Sequence, residues 1–480
     1  MSPSPFDTLP PEIIERILLF CDVYDVAIIA QTGRRARSII YQSEDQYFWR
    51  ELFLSKPFDD LRKALPPLTA QKPSVQRDWK TELQRRVSAE SAVMGAATGP
   101  RLERALATLV SVVETALPFS DGPEMEESEN LRWLEGLLRF STIDEESLPK
   151  HEQQHLGRLM TYLALTYESS PDGDSPKKLL HEKLLNEKRR MSRCYVYDLR
   201  RYKEDTLWGP FSRGEKGELR ANWVHVQHIV NVVAMKLREL PPLALQLYSK
   251  PRAGLSATQA YSAPFAHDRK PHDWAGVAGT WRRFVCFMDY RDLFAFNVSL
   301  RVHSSVPAHP PQFSVSGTGP RDRDFFDDDY QEAIRPVELH LDVLDPTPEQ
   351  STESAESPPS HPVRYPPIFF KGLSRGAHSA DAAVEGSVRV LADGSIRWSF
   401  VTKYDGLTQW RYVFLPVTPV EVRRLINIGP RSAEGLQIGN ICSAAGVGGI
   451  WTGAFHEDAD PAGPFWMWKV PAALTEGLQF

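Results

Sequence analysis

At 480 residues and 54.3 kDa the chain is too long for one ordinary core, and at roughly 150 residues per domain it divides into about three units. Its 56 basic and 62 acidic residues leave a formal charge of −6, which argues against a dominant phosphate-binding surface of the kind nucleic-acid domains carry. A mean hydropathy of −0.36, with no apolar run near the roughly 20 residues a membrane helix needs, describes a soluble globular chain.

In chain order, Met1-Ser-Pro-Ser-Pro-Phe-Asp7 lacks the basic and apolar regions of a secretory signal. Phe6 to Phe20 then opens with a polar cap and prolines in the first turn, as a helix start does. Its apolar residues form two stripes, Ile13, Ile17 and Phe20 on one and Ile14, Leu18 and Cys21 on the other. Together they exceed the width needed to pack against a single neighbour. Asp22 suits the cap of a second helix carrying Val26, Ile29 and Ala30, a third short helix runs from Arg34 to Ile40, and Trp49 follows. About 50 residues bury too little of this surface alone, so the surplus must face the rest of the chain or a partner.

Helical spacing returns between residues 80 and 245, with helices expected near 101–117, 131–140, 151–167, 178–202 and 222–239. Pro118 to Asn130 carries five acidic residues and no basic one, and reads as a solvated loop. From about 273 the period switches to two. Strands are expected at Thr280–Met288, Phe294–Val302, Val337–Val343, Ile368–Lys371, Val388–Val390, Ile396–Phe400, Trp410–Leu415, Gly449–Gly453 and Phe465–Val470. Asp393-Gly394 supplies the positive φ that a tight hairpin turn demands. Asp342 to His361 has five acidic residues and four prolines and reads as a disordered insert. So many short strands imply a closed antiparallel barrel, which removes exposed edges, and seven of the twelve tryptophans fall in it. Gly279-Thr-Trp281 looks like the first strand of a lipocalin-like barrel, with the indole plugging one end.

The residues Leu9-Pro10-x-Glu12-Ile13-x-x-x-Ile17-Leu18, Asp22-x-x-Asp25-Val26, Ala30-Gln31, Arg34-Arg35 and Trp49-Arg50-x-Leu52-Phe53 together resemble the F-box. Val26 stands where leucine is usual, and Thr32-Gly33 replaces an apolar-Ser pair, which would loosen the turn between the second and third helices. The resemblance implies docking onto the Skp adaptor of a cullin-RING ubiquitin ligase, with the cullin scaffold and RING subunit reached through it. Its contacts would be Leu9, Pro10, Ile13, Ile14, Ile17, Leu18 and Val26, with Trp49 closing the small core. Further along, Trp274-Ala-Gly-Val-Ala-Gly-Thr-Trp281, Asp393 to Trp398, Glu434 to Gly439, and Gly449-Ile-Trp-Thr-Gly453 with Gly463-Pro-Phe-Trp466 are similar to the substrate-binding barrel of the cyclin-D1-binding F-box proteins. That resemblance implies that the barrel reads a protein substrate. Mouth contacts for a peptide or small ligand are expected at Asp289, Arg291, Arg397 and Gln437.

Two catalytic patterns occur. His151-Glu-Gln-Gln-His155 matches the zinc-binding H-E-x-x-H, with Glu168, His181 or Glu182 as conceivable third ligands. Pro149 places it in a first helical turn, so we read it as an exposed helix start. Gly372-Leu-Ser374-Arg-Gly376 matches the nucleophile elbow but leads to another strand, where the elbow needs a long helix. The basic run from Lys188 to Lys203 is diluted by acidic neighbours and reads as a solvated helix face, and Asn297-Val-Ser299 is a glycosylation sequon. Four widely spaced cysteines, Cys21, Cys194, Cys286 and Cys442, offer no disulfide framework and suit a reducing cytoplasmic or nuclear setting.

The expected architecture is α+β and multidomain: an F-box at 1–60, a helical spacer at 61–272, and a lipocalin-like barrel at 273–480 interrupted near 342–361. The expected function is that of a non-catalytic substrate receptor of an SCF-type ubiquitin ligase, without metal or cofactor. The alternative is a calycin-like small-ligand-binding protein or enzyme with the N-terminal helices as a structural cap.

Overall fold

The computed structural model describes residues 8–42, 46–69, 77–120, 127–140, 143, 148–149, 153–164, 176–241, 251–297, 321–327, 330–345, 364–376, 381–404, 431–456 and 460–471. Helices at the N-terminus and through the middle precede a closed eight-stranded antiparallel barrel at the C-terminus. The chain forms two compact units, one of residues 1–66, 72–118 and 122–152, the other of 67–71, 119–121 and 153–480. The main division falls near residue 152, so some of the middle helices belong to one unit and some to the other.

In the helical unit, Pro10 and Pro11 open α1 (Pro11–Leu18), and Asp22 caps α2 (Val23–Thr32) by accepting a 2.9 Å bond from Tyr24 N. That bond holds the Asp22 carboxyl below its ordinary range, with Lys56 helping. Thr32 Oγ1 donates to Ile29 O, and Gly33 alone separates α2 from α3 (Arg34–Tyr41), so the turn expected to be loose is tight. Ile14, Leu18, Val26, Ala30 and Ile40 form one core with Trp49 of α4 (Tyr47–Leu54), whose indole donates to Ile40 O at 3.0 Å. This core continues into Trp79 and Leu83 of α5 (Trp79–Met94), a helix that the sequence pattern did not single out.

Two buried polar residues tie α5 to α6 (Gly99–Glu114) and α7 (Glu129–Phe140). Arg86 lies between the Phe53 and Phe58 rings and bonds Glu82 and Asn130. Asp59 accepts from Leu117 N, Ser128 Oγ and Glu129 N at 2.5–2.7 Å, which caps α7.

In the second unit, α8 (Gln153–Leu163) and α9 (Pro176–Val196) pack against α10 (Trp223–Glu239), with a short hairpin of β1 (Phe211–Arg213) and β2 (Leu219–Ala221) before it. α10 is buried along nearly its whole length and lies on the outside of the barrel, where Val226 and Val230 meet Gly448. The barrel strands are β3 (Gly279–Met288), β4 (Glu332–Val343), β5 (Ile368–Gly376), β6 (Ala382–Val390), β7 (Ile396–Lys403), β8 (Arg431–Gln437), β9 (Val447–Gly453) and β10 (Gly463–Lys469). Each pairs antiparallel with the next, and β10 closes on β3.

Several sequence expectations change here. Residues 294–297, expected as strand, belong to helix α11 (Tyr290–Asn297), and 298–302 lie outside the described residues. Asp289 accepts from Arg291 N at the start of α11, and Leu293 and Phe296, three apart, share one buried cluster with Phe326. The β6–β7 turn holds three residues, Ala392-Asp393-Gly394, since Val390 faces Ile396 and Leu391 N bonds Ser395 O. Gly394 takes the left-handed position at φ +82°, as such a loop requires. β8 was not anticipated, and the expected strand at 410–415 and most of the acidic insert, residues 346–361, lie outside the described residues.

Candidate functional site

Two features of the structure are candidates for recognition, one in each unit. On α1 and α2 the apolar residues separate by facing. Ile14, Leu18 and Val26 are at most 1% exposed and form the core, so three of the seven expected adaptor contacts are out of a partner's reach. Leu9 is half-buried against that core, while Pro10, Ile13 and Ile17 are exposed. Phe20, at 85%, follows Ile13 and Ile17 at helical spacing, and Tyr24 and Ile28, one turn apart on α2, are 55% and 60% exposed. The sequence reading named Phe20 in a stripe but assigned no contact to it, to Tyr24 or to Ile28. Large apolar side chains left in water in such a row mark an interaction surface.

In the barrel, strand alternation sorts side chains between lumen and exterior. Trp281 on β3 meets Trp398 on the opposite strand β7, ring centres 5.0 Å apart, with Phe370 beside it. Trp281 also donates to Val277 O, and Trp398 to Gln437 Oε1. This end of the barrel is plugged, as Gly279-Thr-Trp281 led us to expect. The middle is filled too. A Cβ on inward-facing Gly386 or Gly435 would meet Phe400 Cβ at 2.5 Å or Phe465 Cζ at 3.1 Å.

The other end differs in chemistry. By the same alternation Arg283, between Trp281 and Phe287, points into the lumen, its guanidinium 4.2 Å from the Phe465 ring centre and 5.1 Å from that of Phe400. Arg431 lies over Trp451 at 4.6 Å and over Phe287 at 5.2 Å, and Arg335 over Phe287 at 5.3 Å. Arg283 is 6% exposed, and its buried Nε has no hydrogen-bond partner. Among the described residues no carboxylate pairs with any of the three. Burial pulls the Arg283 pKa down to about 9, with Arg431 pushing the same way and Tyr404 opposing. Burial also lowers the Arg431 pKa, and Arg335 adds to it. A ring beneath a guanidinium contributes roughly 0.5–2 kcal/mol, whereas an unpaired buried ion costs several kcal/mol. The stacks hold the arginines in place without compensating their charge.

The ligand contacts expected from sequence fall elsewhere. Arg397 points outward and is held in two bonds, 2.8 and 2.9 Å, by Glu434, whose own pKa burial raises against the pull of Arg397 and Ser399. Gln437 is 4% exposed, its amide engaged by Trp398 and by Asn440 O at the plugged end. Asp289 and Arg291 pair with each other at the start of α11. No two of the Asp289–Arg291 pair, Arg397 and Gln437 face a common ligand position. The signal for Arg283 was in the sequence: two adjacent arginines, Arg282 and Arg283, in an apolar strand oblige one to point inward.

The nucleophile-elbow pattern dissolves. Ser374 lies within β5, opposite Leu339 of β4, so no strand-to-helix elbow forms. His151 and Glu152 lie outside the described residues, as does Glu168. Among the described residues no group of three or more His, Cys, Asp or Glu is placed to hold a metal ion, and all four cysteines are free thiols. Of the basic run, Arg190 pairs with Glu187 and Asp327, Arg193 with Glu332, and Arg200 with Asp198. Asn297 is buried, its amide donating to Tyr197 O and Leu293 O, so it presents no glycosylation site. No described helix is long and apolar enough to cross a membrane.

The class these features define is a multidomain protein with a closed eight-stranded antiparallel barrel. No family model matches the chain, and neither a curated protein nor a solved structure is significantly similar to it.

Proposed function

We propose that this chain is a binding protein whose barrel, in the manner of calycins, receives a ligand at the end opposite the Trp281–Trp398 plug. The observation that carries the reading is the division of the lumen: aromatic side chains fill one end and the middle, and the other is lined by cations that no described carboxylate pairs with. Binding there needs no reacting group, since position and charge do the work. The test is quenching of tryptophan fluorescence in the full-length protein on titration with ligands. Trp451 stands beside Arg431 at the cation-lined end, and Trp281 and Trp398 at the plugged one. A Trp451→Phe variant that loses the response supports the reading, and a response that survives in it sinks the reading.

A second reading adds to the first and is favoured by the exposed row of Ile13, Ile17, Phe20, Tyr24 and Ile28. Under it the N-terminal helices are an F-box docked on a Skp adaptor, the barrel's ligand is part of a protein substrate, and the chain is the substrate receptor of an SCF-type ubiquitin ligase. Cullin and RING subunits would join through the adaptor, and ubiquitin transfer would be promoted by raised effective concentration alone. Purified adaptor should bind the wild-type chain and fail to bind Ile13→Asp/Ile17→Asp. Equal binding to both removes the second reading and leaves the first.

A further inference from the structure

We infer that the cation-lined end of the barrel is a carboxylate site, in which Arg283 and Arg431 take the anion between their N–H edges while its apolar body lies against Phe287 and Trp451. The inference rests on the barrel-binding reading above and names the ligand chemistry of that same site.

The chemistry of the guanidiniums and of their surroundings selects the ligand. The Arg283 guanidinium carbon lies over the rings of Phe400 and Phe465, and that of Arg431 over Phe287 and Trp451. A guanidinium with its face on a ring keeps its N–H edge for hydrogen bonds, and that edge matches the two coplanar oxygens of a carboxylate. Among the described residues Arg283 has no hydrogen-bond or ion-pair partner, and its buried Nε is unsatisfied. Like charges held together repel: beyond the effect of burial, Arg431 pushes the Arg283 pKa down and Arg335 pushes that of Arg431 down. An anion between them would relieve that repulsion and supply the missing partner to Arg283. The aromatic walls favour a weakly hydrated monoanion on an apolar group over a strongly hydrated inorganic ion. Since Phe400 and Phe465 already fill the middle of the lumen, only a small head enters. Arg335, exposed at the rim, would draw the anion inward by long-range attraction.

Isothermal titration of the full-length protein with phenylacetate, its neutral isostere phenylacetamide, inorganic phosphate, and one short peptide bearing either a free or an amidated C-terminus tests the assignment. Phenylacetate should bind at least about tenfold more tightly than phenylacetamide, since loss of a charge-assisted pair costs that much or more. Arg431→Met and Arg283→Met should each remove most of that preference. Arg431 sits nearer solvent, so its variant remains informative if Arg283→Met fails to fold. Preference for the free-terminus peptide with no binding of phenylacetate also supports a carboxylate site and assigns its source to a protein terminus. Equal binding of acid and amide, phosphate as the best ligand, or an acid preference intact in Arg431→Met overturns the inference. Equal binding of acid and amide with Trp451 quenching leaves the barrel-binding reading standing, whereas silence of every probe counts against both.

Discussion

Ile14 and Ile17 sit one turn apart on α1, yet the structure gives them opposite roles, and the pair of alanine variants separates fold from recognition. Ile14 is 0% exposed among Leu18, Val26 and Ile40, so truncation leaves a cavity as well as losing transfer free energy. Fully buried isoleucine to alanine costs about 2–5 kcal/mol. Ile17 is 44% exposed, so only about half of its transfer term, roughly 1 kcal/mol, is at stake, and solvent fills the space without a cavity term. Hydrogen exchange by mass spectrometry on the full-length protein reads both effects on peptides from α1–α4. Ile14→Ala should speed exchange throughout the core it shares with Trp49 and Trp79, while Ile17→Ala should leave it near wild type. In an adaptor-binding assay the order inverts for Ile17→Asp, which should lose the partner while keeping protection. If Ile17→Ala deprotects α1–α4 as much as Ile14→Ala does, the division of α1 into a core stripe and a free stripe is wrong.

Asp59→Ala should destabilise the helical unit by about 3–5 kcal/mol, because three short bonds to Leu117 N, Ser128 Oγ and Glu129 N are lost and buried donors are left unpaired; a urea transition of α7 amides shifted by less than about 1 kcal/mol would refute this. Burial takes the His228 pKa down to about 3 and that of His225 well below its ordinary value, with Arg201 pushing both the same way. The unfolded chain binds these protons near 6.5 and the folded unit does not, so stability is full above that pH and is lost as pH falls toward 3. Urea midpoints for the barrel unit should therefore drop steadily below about pH 6.5, and less steeply in His228→Gln; a slope unchanged by the substitution would mean other groups carry it. Gly446→Ala should disrupt the β9–β10 pairing, since φ is +77° and the added Cβ would lie 2.0 Å from Met467 O; a melting temperature within a degree or two of wild type would contradict that geometry.

Much of this fold was legible wherever one periodicity ran undisturbed. The alternation of Val337 to Val343 and the Asp393-Gly394 signal marked β4 and the β6–β7 hairpin because burial on one face forces period two. Where period and composition conflicted, tertiary context decided. Phe294 and Phe296 are good strand formers, but the Asp289 cap and the cluster with Phe326 favour α11. β8 reads Arg-Ser-Ala-Glu-Gly-Leu-Gln, with little β-propensity, and forms because its neighbours β7 and β9 need a partner between them. The unit boundary near residue 152 was invisible for a similar reason: which faces of the middle helices find which core is not written locally.

The candidate site shows how a partial use of alternation misleads. Once Trp281 is taken as the plug, residues 283, 285 and 287 must share its lumen face, and once Trp398 faces inward, Arg397 must face outward. The same rule that built the barrel from sequence thus removes Arg397 from the mouth and puts Arg283 in it. Charge alone pointed the wrong way, because an arginine beside a tryptophan in sequence is on the opposite face of a strand. Arg397 has Glu434 and needs nothing further, while Arg283 has aromatic rings and, among the described residues, no anion. A buried cation left without a counter-charge lowers stability unless something else occupies the site. In this barrel it is the unsatisfied arginine, rather than the number of tryptophans, that sets the Arg283 end apart from the packed one and makes it the end to test for ligand.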